Sequence, residues 1–118
     1  SVPPSEACMV QLLGGGGALS SLRPEDTAVY WRHARFIVQY DGFWTAPDDG
    51  RKIMDWVEQF RNDMLSYTEG AYVNYVDSRI AEPLEAYYGK NLERLRQVKK
   101  RYDPDNFFHF PQSIPPSS

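Results

Sequence analysis

Apolar and polar positions divide the chain into short runs, each bounded by glycine, proline or a cluster of polar residues. Residues 7–13 are almost continuously apolar and stop at Gly14, Gly15, Gly16 and Gly17, which predicts a short strand followed by a connection. Phe36-Ile37-Val38-Gln39-Tyr40-Asp41-Gly42-Phe43-Trp44 is rich in β-branched and aromatic residues and predicts a second strand. Strand alternation places Ile37, Gln39 and Asp41 on one face, with Val38 and Tyr40 on the other. Pro47 and Asp48 introduce a helix over about residues 50–65. There Ile53, Trp56, Val57, Phe60 and Met64 recur every three or four positions and form one apolar stripe that belongs in a core. After Gly70, Tyr72-Val73-Asn74-Tyr75 predicts a short extended segment, with Tyr72 and Asn74 on one side and Val73 and Tyr75 on the other unless a bend intervenes. A helical stretch over 82–88 ends at Gly89. The last helix, 92–102, carries Leu92, Leu95, Val98 or Lys99, and Tyr102 near one face, and Asp103-Pro104 closes it because the residue before proline is driven out of the helical region. The tail from Phe107 to Ile114 is strongly aromatic and predicts docking onto a larger body.

Strand, strand, helix, short extended segment and helix make an α+β arrangement rather than a doubly wound one. Two or three strands are marginal alone, so the expected sheet is one begun elsewhere and completed here. A chain of 118 residues suffices for one small domain but not for a dinucleotide domain plus a substrate domain. It also begins without methionine, and excision from a longer polypeptide is one expected explanation. Thirteen Lys and Arg against sixteen Asp and Glu give a net charge of -3, which offers no broad positive field for a phosphate backbone, so nucleic acid is excluded as the expected partner. No run approaches the roughly 18 apolar residues of a membrane span, and no membrane partner is expected. Eight Tyr, six Phe and three Trp point to an aromatic core, an interface or a pocket wall.

Candidate chemistry is sparse. The single Cys8 sits in an apolar run and reads as a buried thiol, and His33 and His109 have no metal-ligand spacing, so no metal site is expected. The four glycines lack a following Lys-Ser or Lys-Thr and the spaced dinucleotide pattern, which favours a plain connection over a phosphate loop. Gln39 either lines a cavity or faces water from an edge strand. The phenols Tyr72 and Tyr75, with Asn74 between them, stand out most. A tyrosine can remove a hydroxyl proton if its pKa falls from about 10, yet the same pair can be ordinary aromatic packing.

The strings AYVNYVD and YYGKNLERLRQVKKRYDPDNFFHFPQSIPP resemble the C-terminal signature of the berberine-bridge-enzyme-like FAD-linked oxidases, which have the vanillyl-alcohol-oxidase fold. Tyr75 in the YxNYxD box, Tyr88-Gly89 with Asn91, Arg94-Leu95, Lys99, Asp103-Pro104 with Asn106-Phe107-Phe108, and Gln112-Ser113-Ile114 carry the likeness in order. Gly14–Gly17 and the Gln39-Tyr40 to Trp44 strand resemble family features upstream. The resemblance implies that residues 1–70 are the end of a substrate-domain sheet with its covering helix. Residues 71–118 would be the C-terminal segment that returns to the FAD-binding domain. It implies FAD, bound mainly by sequence outside this chain, as cofactor. The implied partners are an N-terminal FAD-binding portion, a small-molecule substrate and molecular oxygen. Tyr75 is implied as the catalytic base, Tyr72 and Gln39 as substrate-pocket residues and Asn74 as a cofactor contact, while Gln112 is expected to be structural. The implied reaction moves hydride from an alcohol, sugar hydroxyl or activated C–H carbon to flavin, in the complete enzyme rather than in the isolated chain. The competing expectation is a stand-alone binding or interaction domain without redox chemistry.

Overall fold

The computed structural model describes residues 2–118. Among the described residues the elements are β1 (Cys8–Gly14), β2 (Phe36–Gly42), α1 (Pro47–Met64), α2 (Pro83–Tyr88) and α3 (Leu92–Tyr102), with short 3₁₀ turns between them. This is the α+β class that the residue pattern implies. The chain separates into two compact units. One comprises the residues up to Gly15 with Arg35–Glu69, and the other Gly16–Ala34 with Gly70–Ser118.

In the first unit β1 and β2 pair antiparallel, with Cys8 opposite Gly42, Gln11 opposite Gln39 and Gly14 opposite Phe36. The ladder runs on at both ends, where Gly15 N–H donates to the Arg35 carbonyl (2.7 Å) and Phe43 N–H to the Ala7 carbonyl (3.1 Å). The face bearing Val38, Tyr40 and Gly42 takes α1, whose Ile53 is only 2% exposed and whose Trp56 is also buried. Tyr40 and Phe60 rings meet at 5.1 Å, and Phe60 continues to Trp56 at 5.6 Å. Gly42 admits the helix because a Cβ there would lie 2.2 Å from Ile53 Cγ2. The helix starts earlier than its apolar stripe: Pro47 presets the first turn, and Asp48 and Asp49 favour the positive end of the helix dipole. Burial raises the Tyr40 pKa, and the nearby Arg61 opposes the shift.

The second unit is built around α2 and α3, with Ile80, Tyr87 and Leu92 buried. Asn91, buried between the two helices, donates through Nδ2 to the carbonyls of Pro24 (2.7 Å) and Thr27 (3.1 Å). Arg94 donates to the Glu25 carbonyl at 3.1 Å, so residues 24–27 are held against the start of α3. Trp31 Nε1 donates to the Ala86 carbonyl at 2.7 Å. Its indole fills the space beside Gly70, and the Tyr30 ring does the same beside Gly89, which ends α2 with φ 47°.

After α3 the tail is tied down by Asp103. Its carboxylate accepts the N–H groups of Phe107 (2.7 Å) and Phe108 (3.0 Å) and bonds the Lys99 ammonium, which also donates to the Phe108 carbonyl. Asn106 supports the turn with φ 52°. Lys99, rather than Val98, therefore occupies the useful position on the inner side of α3. Tyr102 is exposed, contrary to the expected stripe, because the chain turns back through Asp103 and leaves that ring uncovered. The Lys99 hydrogen bond, helped by the two amides, holds the Asp103 carboxyl below the ordinary aspartate range, with desolvation opposing.

Both contacts can be checked by substitution. Gly89→Ala places a Cβ 2.3 Å from the Tyr30 ring at a positive φ, and thermal unfolding should show a loss of more than about 1 kcal/mol. Asp103→Asn should lower the melting temperature at neutral pH. Because the folded-state pKa is depressed, the wild-type advantage is complete above the unfolded value of about 3.9 and disappears as pH falls through the folded value. Melting curves recorded across pH 2–7 check that closing gap.

Candidate functional site

In the second unit Tyr72, Asn74 and Tyr75 come together on one turn rather than on an extended segment. Tyr75 N–H donates to the Tyr72 carbonyl at 2.9 Å, so the backbone bends and the expected alternation is broken. The bend brings the two phenol rings edge to face at 5.2 Å. Asn74 Nδ2 donates to Tyr72 Oη at 2.8 Å, which orients that hydroxyl from the same turn. Tyr75 is 45% exposed, whereas Tyr72 is half-buried. An exposed phenol braced by a second ring can meet a molecule presented from outside the turn.

The turn is anchored on both sides. Ala71 N–H donates to the Ala86 carbonyl at 2.8 Å, and Asp77 N–H donates to Tyr87 Oη at 3.0 Å. Gln112 completes the far anchor by accepting from Tyr87 Oη (3.1 Å) and donating to the Asp77 carbonyl (2.8 Å). Residue types alone gave no reason to single out Tyr87, because its spacing on a short helix reads as core.

In the first unit Gln39 lies on the sheet face turned away from α1. Its Nε2 donates to Asp41 Oδ1 at 2.8 Å and Oδ2 at 3.1 Å, and Gln11 Nε2 reaches the same carboxylate at 2.7 Å. One carboxylate thus gathers two amides into a polar patch bordered by Met9, Leu13 and Ile37. Asp41 was legible as a same-face neighbour of Gln39. Gln11 was not, since only the strand register brings it opposite. Cys8 is half-buried and unpaired by disulfide. A separate recess of about 170 Å³ in the second unit, lined by Glu25, Asp26, Thr27, Asn91, Arg94 and Leu95 among others, includes none of the candidate site residues.

The family described as berberine and berberine-like matches residues 71–115. An uncharacterized FAD-linked oxidoreductase of Bacillus subtilis (strain 168) is 45% identical over 101 residues, covering 86% of this chain and 22% of that protein. This chain matches a fragment of the berberine-bridge-like family. Xylooligosaccharide oxidase of Thermothelomyces thermophilus is 37% identical over 107 residues, covering 87% of this chain and 20% of its own length. Among solved structures, glycopeptide hexose oxidase complexed with teicoplanin superposes with a TM-score of 0.83 at 36% identity, over 91% of this chain and 25% of that one. The wild-type berberine-bridge-like protein 1 of Physcomitrella patens gives 0.82 at 32% identity, over 94% and 24%. The chain spans about a fifth of the length of the curated relatives cited.

A Cβ at Gly14, Gly16 or Gly17 would meet no neighbouring atom within 4 Å, so the glycine run is not held by close packing. The phenol of Tyr75 and the amide of Asn74 are exposed and present polar atoms from one braced turn, donor and acceptor groups of the kind a flavin ring system takes.

Proposed function

We propose that this chain is the part of an FAD-dependent oxidoreductase that supplies the proton acceptor for oxidising a sugar hydroxyl or related alcohol. The observation that carries the reading is the turn bearing Tyr75: an exposed phenol, braced by Tyr72, on backbone anchored at both ends. The names of relatives, among them xylooligosaccharide, chitooligosaccharide and carbohydrate oxidases, support the substrate class.

FAD, bound mainly by the N-terminal portion of the same enzyme, would supply the two-electron acceptor, with molecular oxygen as its oxidant. Acting as the phenolate, its own proton already passed to solvent, Tyr75 Oη takes the proton of the substrate hydroxyl, while the hydride that leaves the adjacent carbon would go to FAD. Asn74 and Tyr72 keep that phenol in one orientation, which matters because proton transfer needs hydrogen-bond reach and steady alignment. Asn74 would offer its amide to the bound flavin, and Tyr72 would offer its ring edge to the substrate. The Gln11–Asp41–Gln39 patch of the first unit is rich in acceptors and complements a molecule with several hydroxyl donors. The exposed apolar residues of β1, with Leu12 at 68%, and the tail rings Phe107 and Phe108, at 78% and 74%, support burial against the rest of the enzyme.

The full-length enzyme should purify yellow and be reduced by at least one oligosaccharide in a panel including xylobiose, followed by loss of flavin absorbance under anaerobic conditions. Tyr75→Phe should slow that reduction roughly 10²- to 10⁴-fold while retaining bound FAD. A colourless protein, or unchanged reduction in Tyr75→Phe, overturns the reading. Separately, Gln39→Leu should raise the half-saturating sugar concentration roughly three- to tenfold with a smaller effect on the limiting rate, as expected for loss of about one hydrogen bond. Steady titration with the best sugar of the panel measures it.

A further inference from the structure

We infer that Tyr87 and Gln112 are positioning residues for Tyr75, acting through the backbone of Asp77; this rests on Tyr75 being the proton acceptor. Tyr87, only 3% exposed, accepts the Asp77 N–H at 3.0 Å and gives its own proton to Gln112 Oε1 at 3.1 Å. Gln112 Nε2 then donates to the Asp77 carbonyl at 2.8 Å. The three groups close a ring in which every donor has one acceptor, so the Asp77 backbone is gripped at its N–H and at its C=O. A hydroxyl can accept and donate at once, and a carboxamide can do both through different atoms, which is why these two side-chain types complete the circuit.

The grip matters because of where it falls. Asp77 follows Tyr75 by two residues, and the other end of the same loop is fixed by Ala71 N–H on the Ala86 carbonyl. Ala86 and Tyr87 are consecutive residues of α2, so one short helix holds both ends of the loop that presents Tyr75. Gln112 is itself set by the turn in which Phe110 N–H donates to Ser113 Oγ (3.2 Å) and Ser113 N–H to the Phe110 carbonyl (2.9 Å). A segment far along the chain from Tyr75 therefore contributes directly to its alignment. Asp77 adds a local restraint, its Oδ1 accepting the Arg79 N–H at 2.9 Å.

The test uses the FAD-loaded full-length enzyme with Tyr87→Phe, Gln112→Leu and Tyr75→Phe, singly and combined. Hydrogen exchange measured on peptides spanning 72–80 reads the grip without reference to activity. Both Tyr87→Phe and Gln112→Leu should speed exchange there while peptides from α3 keep wild-type rates, and unchanged protection of 72–80, or loss spread over the whole unit, overturns the inference. Anaerobic flavin reduction by the best sugar of the xylobiose panel supplies the second arm. Gln112→Leu should slow the limiting rate roughly ten- to a hundredfold at an unchanged half-saturating concentration, and that slowing should vanish in the Tyr75→Phe background. An equal slowing in both backgrounds means that Gln112 does not act through Tyr75 and also overturns it. Tyr75→Phe alone reports on the base and the exchange data alone on the grip, so either can fail without disguising the other.

Discussion

Consecutive residues of α2 hold the loop that carries Tyr75, one by a backbone carbonyl and the next by a phenol hydroxyl. The carbonyl of Ala86 serves twice, accepting the Ala71 N–H and the Trp31 indole, so the same point also secures the residues that precede the sheet's second strand in sequence. A loop with its ends fixed can leave its middle exposed without losing its shape. That is the condition for holding an exposed side chain in place on non-regular backbone, where order must come from hydrogen bonds outside the loop.

Close approach is the second constraint on the same unit. The indole of Trp31 lies where a Gly70 side chain would be, and the Tyr30 ring lies where a Gly89 side chain would be. Both glycines also have positive φ, so each meets a steric and a conformational demand at once. Adjacent aromatic residues thereby close over the start of the Tyr75 loop and the end of α2. In the other unit Gly42 allows comparable proximity between β2 and Ile53 of α1.

The charged clasp at Asp103 and the amide patch at Asp41 use one device for different ends. Each employs a carboxylate to gather several donors, and the environment decides the result. At Asp103 the donors are backbone amides and Lys99, so the outcome is a fixed chain turn that directs Phe107 and Phe108 outward. At Asp41 the donors are the side-chain amides of Gln11 and Gln39, and the outcome is a polar surface on a sheet face otherwise lined by apolar residues. A patch built from side chains remains able to exchange hydrogen bonds with a ligand, while one built from backbone amides is committed to structure.

Local chemistry fixed the elements. β-Branched and aromatic content marked β2, the three-and-four spacing of Ile53, Trp56, Val57 and Phe60 marked α1, and Asp103-Pro104 marked the end of α3, because each is set by backbone geometry over a few residues. The order of separated motifs from Tyr75 to Ile114 also carried the family likeness. What the residue pattern left open was decided by one local turn and by long-range contacts. Tyr72 and Tyr75 share an edge because a turn overrides alternation, Gln11 joins Gln39 because the strand register brings them opposite, and Gly16–Ala34 packs with the C-terminal residues rather than with its neighbours in sequence. Tyr87 and Gln112 meet at Asp77 for the same reason. Hydrogen bonds between residues distant in the chain depend on the packed fold, and no local spacing encodes their partners.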